Sequence, residues 1–105
     1  MANSYIVKMT PKAASDLDNI YSYISEELFT VSAAANILER IEKGILRLKE
    51  FPFSCSYVVD EFLRNKGYKK LIIDNYIVFY LVEEENKQVV IMRVLYGKQK
   101  YEDLI

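Results

Sequence analysis

The sequence predicts one α+β domain in which a helical hairpin packs on one face of a mainly antiparallel sheet. Two apolar stripes at helical spacing occupy the first half of the chain, and three segments rich in β-branched and aromatic residues occupy the second half. A short alternating segment precedes both, so the element order is β-α-α-β-β-β. The 105 residues match the length of one domain, residues 1–105.

The first two elements are a strand and a helix. The segment from Ser4 to Met9 alternates in polarity, which predicts a short strand. Thr10 and Pro11 then predict a helix start, because a threonine hydroxyl can cap a free N–H and proline is tolerated in the first turn. Apolar residues recur at three- and four-residue spacing after this point, so we expect an amphipathic helix over residues 11–28.

A second amphipathic helix follows a short break in the pattern. Ser32 can cap it, and the stripe from Ala34 to Leu48 keeps helical spacing, which predicts a helix over residues 32–50 that ends before Pro52. Because the connection is short, the two helices form an antiparallel hairpin. Neither helix is stable without a partner surface, which the sheet must supply.

The second half of the chain predicts a connection and three strands. Residues 53–67 show no clear period and are expected to be a long connection. The strands are Tyr68–Ile73, Tyr76–Glu83 and Lys87–Tyr96, separated by turn residues. The middle strand is apolar on both faces, as a central strand covered on both sides would be. Strict alternation in the last strand places these residues on one face: Val90, Met92, Val94 and Tyr96.

The composition excludes several classes of function. The chain has no histidine and one cysteine, Cys55, which rules out an internal disulfide, a Cys/His zinc site and histidine-dependent catalysis. It has no P-loop and no dinucleotide-binding motif. We therefore expect no cofactor and no metal. The apolar runs are far too short for a membrane span and the N-terminus lacks a signal-peptide pattern, so we expect a cytoplasmic protein with no membrane contact.

Basic residues are concentrated near the end of the chain. The formal charge is −1, yet the segment from Asn86 to Tyr101 contains four basic residues and no acid. Neighbouring strands are expected to bring cations and phenols to one end of the sheet, where cations can hold phosphate oxygens and phenols can stack on bases. The candidate target-binding residues are Lys69, Lys70, Arg93, Tyr96, Lys98, Lys100 and Tyr101.

A structural explanation of the same residues is also open. Tyrosines commonly pack at the edges of a core, and lysines on an edge strand discourage aggregation. On this interpretation Arg93 forms an ion pair with Glu83 or with another acid across the sheet and contributes only to stability.

Three segments of the second half point to a known family: the pair Lys69-Lys70, the aromatic strand Tyr76–Tyr80 and the closing stretch Arg93–Lys98. In their order and spacing they resemble the RelE/ParE superfamily of bacterial type II toxins, over nearly the whole chain. The resemblance implies a toxin that forms a hetero-oligomer with a cognate antitoxin protein. RelE-type members cleave messenger RNA in the ribosomal A site, whereas ParE-type members inhibit DNA gyrase.

Two positions favour the ParE-like branch. RelE-like nucleases usually carry a basic residue after the tyrosine that opens the central strand, and often an arginine two positions after the closing glycine. These positions are Ile77 and Gln99 here. The closing segment is similar to the Arg-Val-Leu-His-Gly of ParE proteins, although Tyr96 replaces the histidine.

The resemblance therefore implies a gyrase inhibitor that is not an enzyme. One alternative is a RelE-like messenger-RNA endoribonuclease that acts on the ribosome through these residues: Lys69, Lys70, Arg93 and Lys98. The other alternative is an inactive, toxin-derived module that still binds its antitoxin.

Overall fold

The computed structural model describes residues 4–27, 31–58 and 61–97. Its elements are β1 (Ile6–Met9), α1 (Pro11–Ser22), a π-helical turn (Tyr23–Glu27), α2 (Val31–Arg47), α3 (Glu61–Asn65), β2 (Lys69–Ile73), β3 (Tyr76–Glu83) and β4 (Gln88–Tyr96). The sheet order is β1-β4-β3-β2, in which β1 runs parallel to β4 and the other pairs are antiparallel. This confirms the predicted α+β class. Within the described ranges, no helix has both the length and the apolar character needed to cross a membrane.

Helix α1 begins as the sequence predicts. The Thr10 hydroxyl accepts a hydrogen bond from the Ala13 N–H at 3.0 Å and donates to the carbonyl of Met92 at 2.9 Å. The cap therefore also ties the helix to β4. The α-helical part ends at Ser22 and continues as the π-helical turn, in which each backbone hydrogen bond spans one residue more.

Helix α2 differs from its prediction at both ends. It begins at Val31, so Ser32 lies inside the first turn and does not cap the helix. It ends at Arg47, and tighter turns fill the interval before Pro52, with Leu48 N–H donating to the Ile45 carbonyl. These tighter turns continue the apolar spacing, which is why the pattern suggested a longer helix.

Two apolar clusters cover the two faces of the sheet. The larger one lies between the helical hairpin and one face, and the smaller one lies on the other face, where α3 supplies Leu63. Helix α3 lies within residues 53–67, which the sequence predicts only as a long connection. Five residues are too few to show helical periodicity, so the sequence did not reveal it. The central strand is covered on both sides, as its composition predicted.

A β-bulge in β4 breaks the alternation expected for that strand. Phe79 pairs with Arg93 whereas Tyr80 pairs with Ile91, so Met92 is an extra residue on the β4 side. As a result Val89, Ile91 and Val94 all belong to the cluster under the helical hairpin, although strict alternation separates the last two. The predicted shared face of Val90, Met92, Val94 and Tyr96 is wrong for this reason.

The carboxylate of Asp16 occupies the edge of β4 beyond the end of β1. Asp16 Oδ2 accepts hydrogen bonds from the Val94 N–H at 2.9 Å and from Arg93 Nε at 2.7 Å, and Oδ1 accepts from Arg93 Nη2 at 2.9 Å. The side chain of Arg93 is only 16% exposed, and that of Asp16 is only 9% exposed. Hydrogen bonding to Asp16 raises the pKa of Arg93 above its ordinary value. Arg93 thus pairs with an acid on α1 and not with Glu83.

We predict that Asp16→Ala lowers the free energy of unfolding by about 3–5 kcal/mol, because a largely buried guanidinium loses its counter-charge and the Val94 N–H loses its acceptor. Urea unfolding followed by circular dichroism measures this. Asp18→Ala, on the same helix but exposed, is the matched control and should change stability by less than about 0.5 kcal/mol. Equal effects of the two substitutions would show that the ion pair contributes nothing.

We also predict a pH-dependent contribution from Tyr80. Its buried hydroxyl donates to the Pro52 carbonyl at 3.1 Å, and burial raises its pKa above the ordinary value of 10.0. Tyr80→Phe should cost about 1–2 kcal/mol near neutral pH. Above about pH 10 the unfolded wild-type chain ionises at Tyr80 while the folded chain does not, so the wild type loses this advantage as pH rises. Urea unfolding of both proteins at about pH 8 and about pH 11 tests this, and a constant difference would contradict it.

Candidate functional site

A pair of tyrosines marks the end of the sheet where β3 begins and β4 finishes. Tyr76 opens β3 and pairs in register with Tyr96, the last residue of β4. Their rings meet edge to face, with centroids 5.8 Å apart and an interplanar angle of 65°. Tyr96 is 39% exposed, so the pair presents an aromatic surface with a polar tip to solvent.

A cavity of about 800 Å³ opens beside this pair, between the helical hairpin and the ends of β3 and β4. We call it the tyrosine cavity, after Tyr23, Tyr76 and Tyr96, which line it. Its remaining lining includes apolar residues of both helices and the Asp16–Arg93 pair. Its volume lies in the range of about 300–1,000 Å³ that is usual for ligand pockets.

Tyr23 reaches the cavity because it lies on the same helical face as Asp16 and Ile20, seven and three residues earlier. The wider turn begins at Tyr23, whose side chain is 57% exposed. Burial, followed by the neighbouring hydroxyls of Tyr96 and Tyr23, raises the pKa of Tyr76 above its ordinary value. Sequence reasoning missed Tyr23, although its spacing of seven and three residues from Asp16 and Ile20 predicts a position on the same helical face. It also missed Asp16, which the helical pattern treats only as a polar residue between apolar ones.

The structure brings two of the predicted site residues, Arg93 and Tyr96, to the same end of β4. Lys70 pairs with Phe79 on β3 and therefore lies on the face of the smaller apolar cluster, away from the tyrosine cavity. Tyr96 lies three residues beyond Arg93 on β4. The remaining candidates of the C-terminal segment lie outside the described residues: Lys98, Lys100 and Tyr101.

Lys69 lies apart from this group and is buried. It pairs with Tyr80, four residues along β3 from Tyr76, which corresponds to about 13 Å of strand. Its ammonium donates to the Cys55 carbonyl at 3.0 Å and lies 3.9 Å from the ring centroid of Tyr57. Only 5% of Lys69 is exposed. The expectation that it joins the tyrosines at one end of the sheet is therefore corrected.

The chemistry of the site suits binding better than acid–base catalysis. A tyrosine with a raised pKa stays a neutral phenol near pH 7, so Tyr76 is a hydrogen-bond donor and a poor general base. Arg93 is held by Asp16, which a phosphate would have to displace. Within the described ranges no cluster of three or more metal-ligating side chains occurs.

A second depression lies next to the open edge of the sheet. It has a volume of about 540 Å³ and runs between β1 and α2. We call it the β1–α2 groove. Val7, Leu38 and Ile45 contribute apolar lining, and acidic residues of α2 lie in its wall. Because β1 is an edge strand, an extended peptide in this groove has backbone groups within reach.

Comparison with known proteins identifies relatives. The family model described as ParE toxin of type II toxin-antitoxin system, parDE, matches residues 7–101. The chromosomal ParDE toxin–antitoxin system from P. aeruginosa has a similar structure, with a TM-score of 0.75 and 21% identity over 91% of this chain and 99% of that chain. A comparison with curated protein sequences gives no significant match.

Two RelE-type structures are also similar. The RelBE2 toxin–antitoxin complex from Mycobacterium tuberculosis gives a TM-score of 0.66 and 21% identity, covering 89% of this chain and 98% of that chain. The isolated E. coli RelE toxin gives a TM-score of 0.65 and 14% identity, covering 96% of this chain and 95% of that chain. These likenesses establish the shared fold, and the predicted membership of the RelE/ParE superfamily is confirmed. With a family model that matches nearly its whole length, the chain belongs to the ParE toxins of type II toxin–antitoxin systems.

Proposed function

We propose that this protein inhibits bacterial growth by inhibiting DNA gyrase and that a cognate antitoxin neutralises it. The observation that carries the proposal is the match to the ParE family over residues 7–101. The edge-to-face tyrosine pair and the cavity beside it provide a recognition surface at the end of the sheet.

The site geometry favours gyrase inhibition over cleavage of messenger RNA. Of the cations that a RelE-like reaction would use, Lys69 is buried against Tyr57 and Arg93 is paired with Asp16. Ile77, which stands where RelE-like nucleases usually have a basic residue, packs with the smaller apolar cluster. Lys70, the third described cation of that set, lies on the opposite face of the sheet from the tyrosine cavity, so these residues supply the cavity with neither a base nor an unpaired cation for a phosphorane.

The antitoxin is assigned to the β1–α2 groove. The RelBE2 structure is a toxin–antitoxin complex, which supports a protein partner of this kind for a chain with the same fold. An extended antitoxin segment can pair with the free edge of β1 and place apolar side chains in the groove. A disordered segment that folds on binding can cover such a surface at modest affinity per unit area.

The target-binding surface is assigned to the end of β4 and the segment that follows it. Tyr96 contributes an exposed ring, and Lys98, Lys100 and Tyr101 add two cations and a phenol. We assign Arg93 a share in this surface through its ion pair with Asp16, which holds α1 against β4.

We predict that replacing Lys98 and Lys100 together with alanine abolishes growth inhibition, because the segment loses both of its cations. Because lysines are rarely fully buried, the melting temperature should change little. The matched control is Lys12→Ala with Lys49→Ala, two exposed lysines elsewhere. Growth after induction, supercoiling by purified gyrase and thermal melting are the measurements. Unchanged toxicity, or cleavage of ribosome-bound messenger RNA by the wild type, would contradict the assignment.

We predict that Leu46→Glu prevents neutralisation while toxicity persists. Leu46 is exposed in the β1–α2 groove, and a carboxylate there must be desolvated when an apolar segment docks. Binding to the product of the adjacent antitoxin gene should weaken at least tenfold by calorimetry, a loss of about 1.4 kcal/mol. Ile72→Glu is the matched control, since Ile72 is equally exposed on β2 at the other edge of the sheet. If only Ile72→Glu lost binding, the antitoxin site would lie on β2 and not in the β1–α2 groove.

A further inference from the structure

The tyrosine cavity is electrically balanced, which restricts what it can bind. Its charged lining residues are Asp16, Asp74 and Arg93. Arg93 pairs with Asp16, and Asp74 pairs with Arg40 at 3.0 Å. Among the described residues that line the cavity there is no lysine. A site for phosphate needs cations with N–H groups directed at the ligand, and both arginines here are directed at carboxylates.

The floor of the cavity is apolar and its mouth is aromatic. Ile20 and Ile24 lie on the helical side and Val94 lies on the strand side, and all three are almost fully buried. Tyr23 and Tyr96 are well exposed at the mouth. Clefts with an apolar floor, rigid aromatic walls and a few polar tips are where protein interfaces place their anchoring side chains.

We infer that the tyrosine cavity receives an aromatic or branched aliphatic side chain from the protein target of the toxin, and that Tyr23 determines the specificity of this contact. The inference rests on the proposed function and deepens it. It states that the toxin recognises the gyrase protein at this cavity and not the DNA that gyrase holds.

A nucleobase would also stack on the tyrosines, but it would bring its phosphate with it. Sites for single-stranded nucleic acid combine stacking rings with a positively charged groove along the backbone. Here the groups beside the rings include the carboxylates of Asp16 and Asp74. An uncharged side chain enters the same space without opposing charge, so charge complementarity selects a protein partner.

The test is binding of the purified toxin to purified gyrase without DNA, measured by fluorescence anisotropy over a range of salt concentrations. Tyr23→Ala should weaken binding at least tenfold, because the cavity loses a wall. Tyr21→Ala is the matched control: Tyr21 is exposed one half-turn earlier and does not line the cavity. Tyr21→Ala should change the affinity less than twofold. The dependence of affinity on salt should be the same for Tyr23→Ala and the wild type, since the cavity adds no ion pair across the interface.

A substitution at the mouth separates the two classes of ligand. Asn19 is exposed and lines the cavity. Asn19→Arg places a cation there without disturbing the core, so it should weaken binding to gyrase at least fivefold. If the ligand were DNA, the same substitution would strengthen binding and steepen the dependence on salt. Because Asn19 is a surface position, this variant keeps the test valid even if Tyr23→Ala fails to fold.

Three results would overturn the inference. They are equal affinities for Tyr23→Ala and Tyr21→Ala, binding that requires DNA, and stronger binding by Asn19→Arg. If the wild type inhibits supercoiling while any of these is observed, only the role of the cavity fails. If the wild type neither inhibits supercoiling nor binds gyrase with or without DNA, the proposed function fails and the inference falls with it.

Discussion

The carboxylate of Asp16 completes a sheet edge that the short strand β1 leaves open. The last backbone hydrogen bond along that edge runs from Thr10 to Ile91, and the next N–H, that of Val94, donates to Asp16. A bulge at Met92 lies between these two points and changes the direction of the strand. Since one carboxylate accepts from both the backbone and Arg93, helix α1 is fixed against β4 by polar contacts as well as by apolar packing.

This fixed helix determines what the end of the sheet can recognise. The π-helical turn continues directly from α1, so the position of Tyr23 depends on the same contact that holds α1 in place. The contact also neutralises Arg93, which removes from the site the charge that a nuclease would require. The described charges of a cleft that sequence alone suggested to be basic are consequently paired, and its floor is apolar. Stability and recognition are therefore linked, and a variant such as Arg93→Ala tests both together.

The helices and strands that show apolar periodicity were predicted from the sequence. The features that depend on single residues were not. The helical hairpin and the three C-terminal strands follow from apolar spacing, because each must bury one face. Helix α3 is too short to have a period, and the bulge at Met92 leaves no mark in the pattern. The pair Lys69-Lys70 shows where a simple rule was available: adjacent residues of a strand point to opposite faces, so the two lysines were unlikely to share one surface. Lys69 is indeed buried between Tyr57 and the carbonyl of Cys55.

The two depressions impose a requirement on any antitoxin that blocks the target-binding end. The β1–α2 groove and the tyrosine cavity share no lining residue, so a peptide confined to the groove leaves the cavity open. Both depressions are bordered by the helical hairpin, whose two helices pack with the sheet into one core. Direct coverage of the tyrosine cavity by the antitoxin is then the simplest way to block it. An antitoxin segment bound in the groove must therefore extend beyond it to provide this coverage.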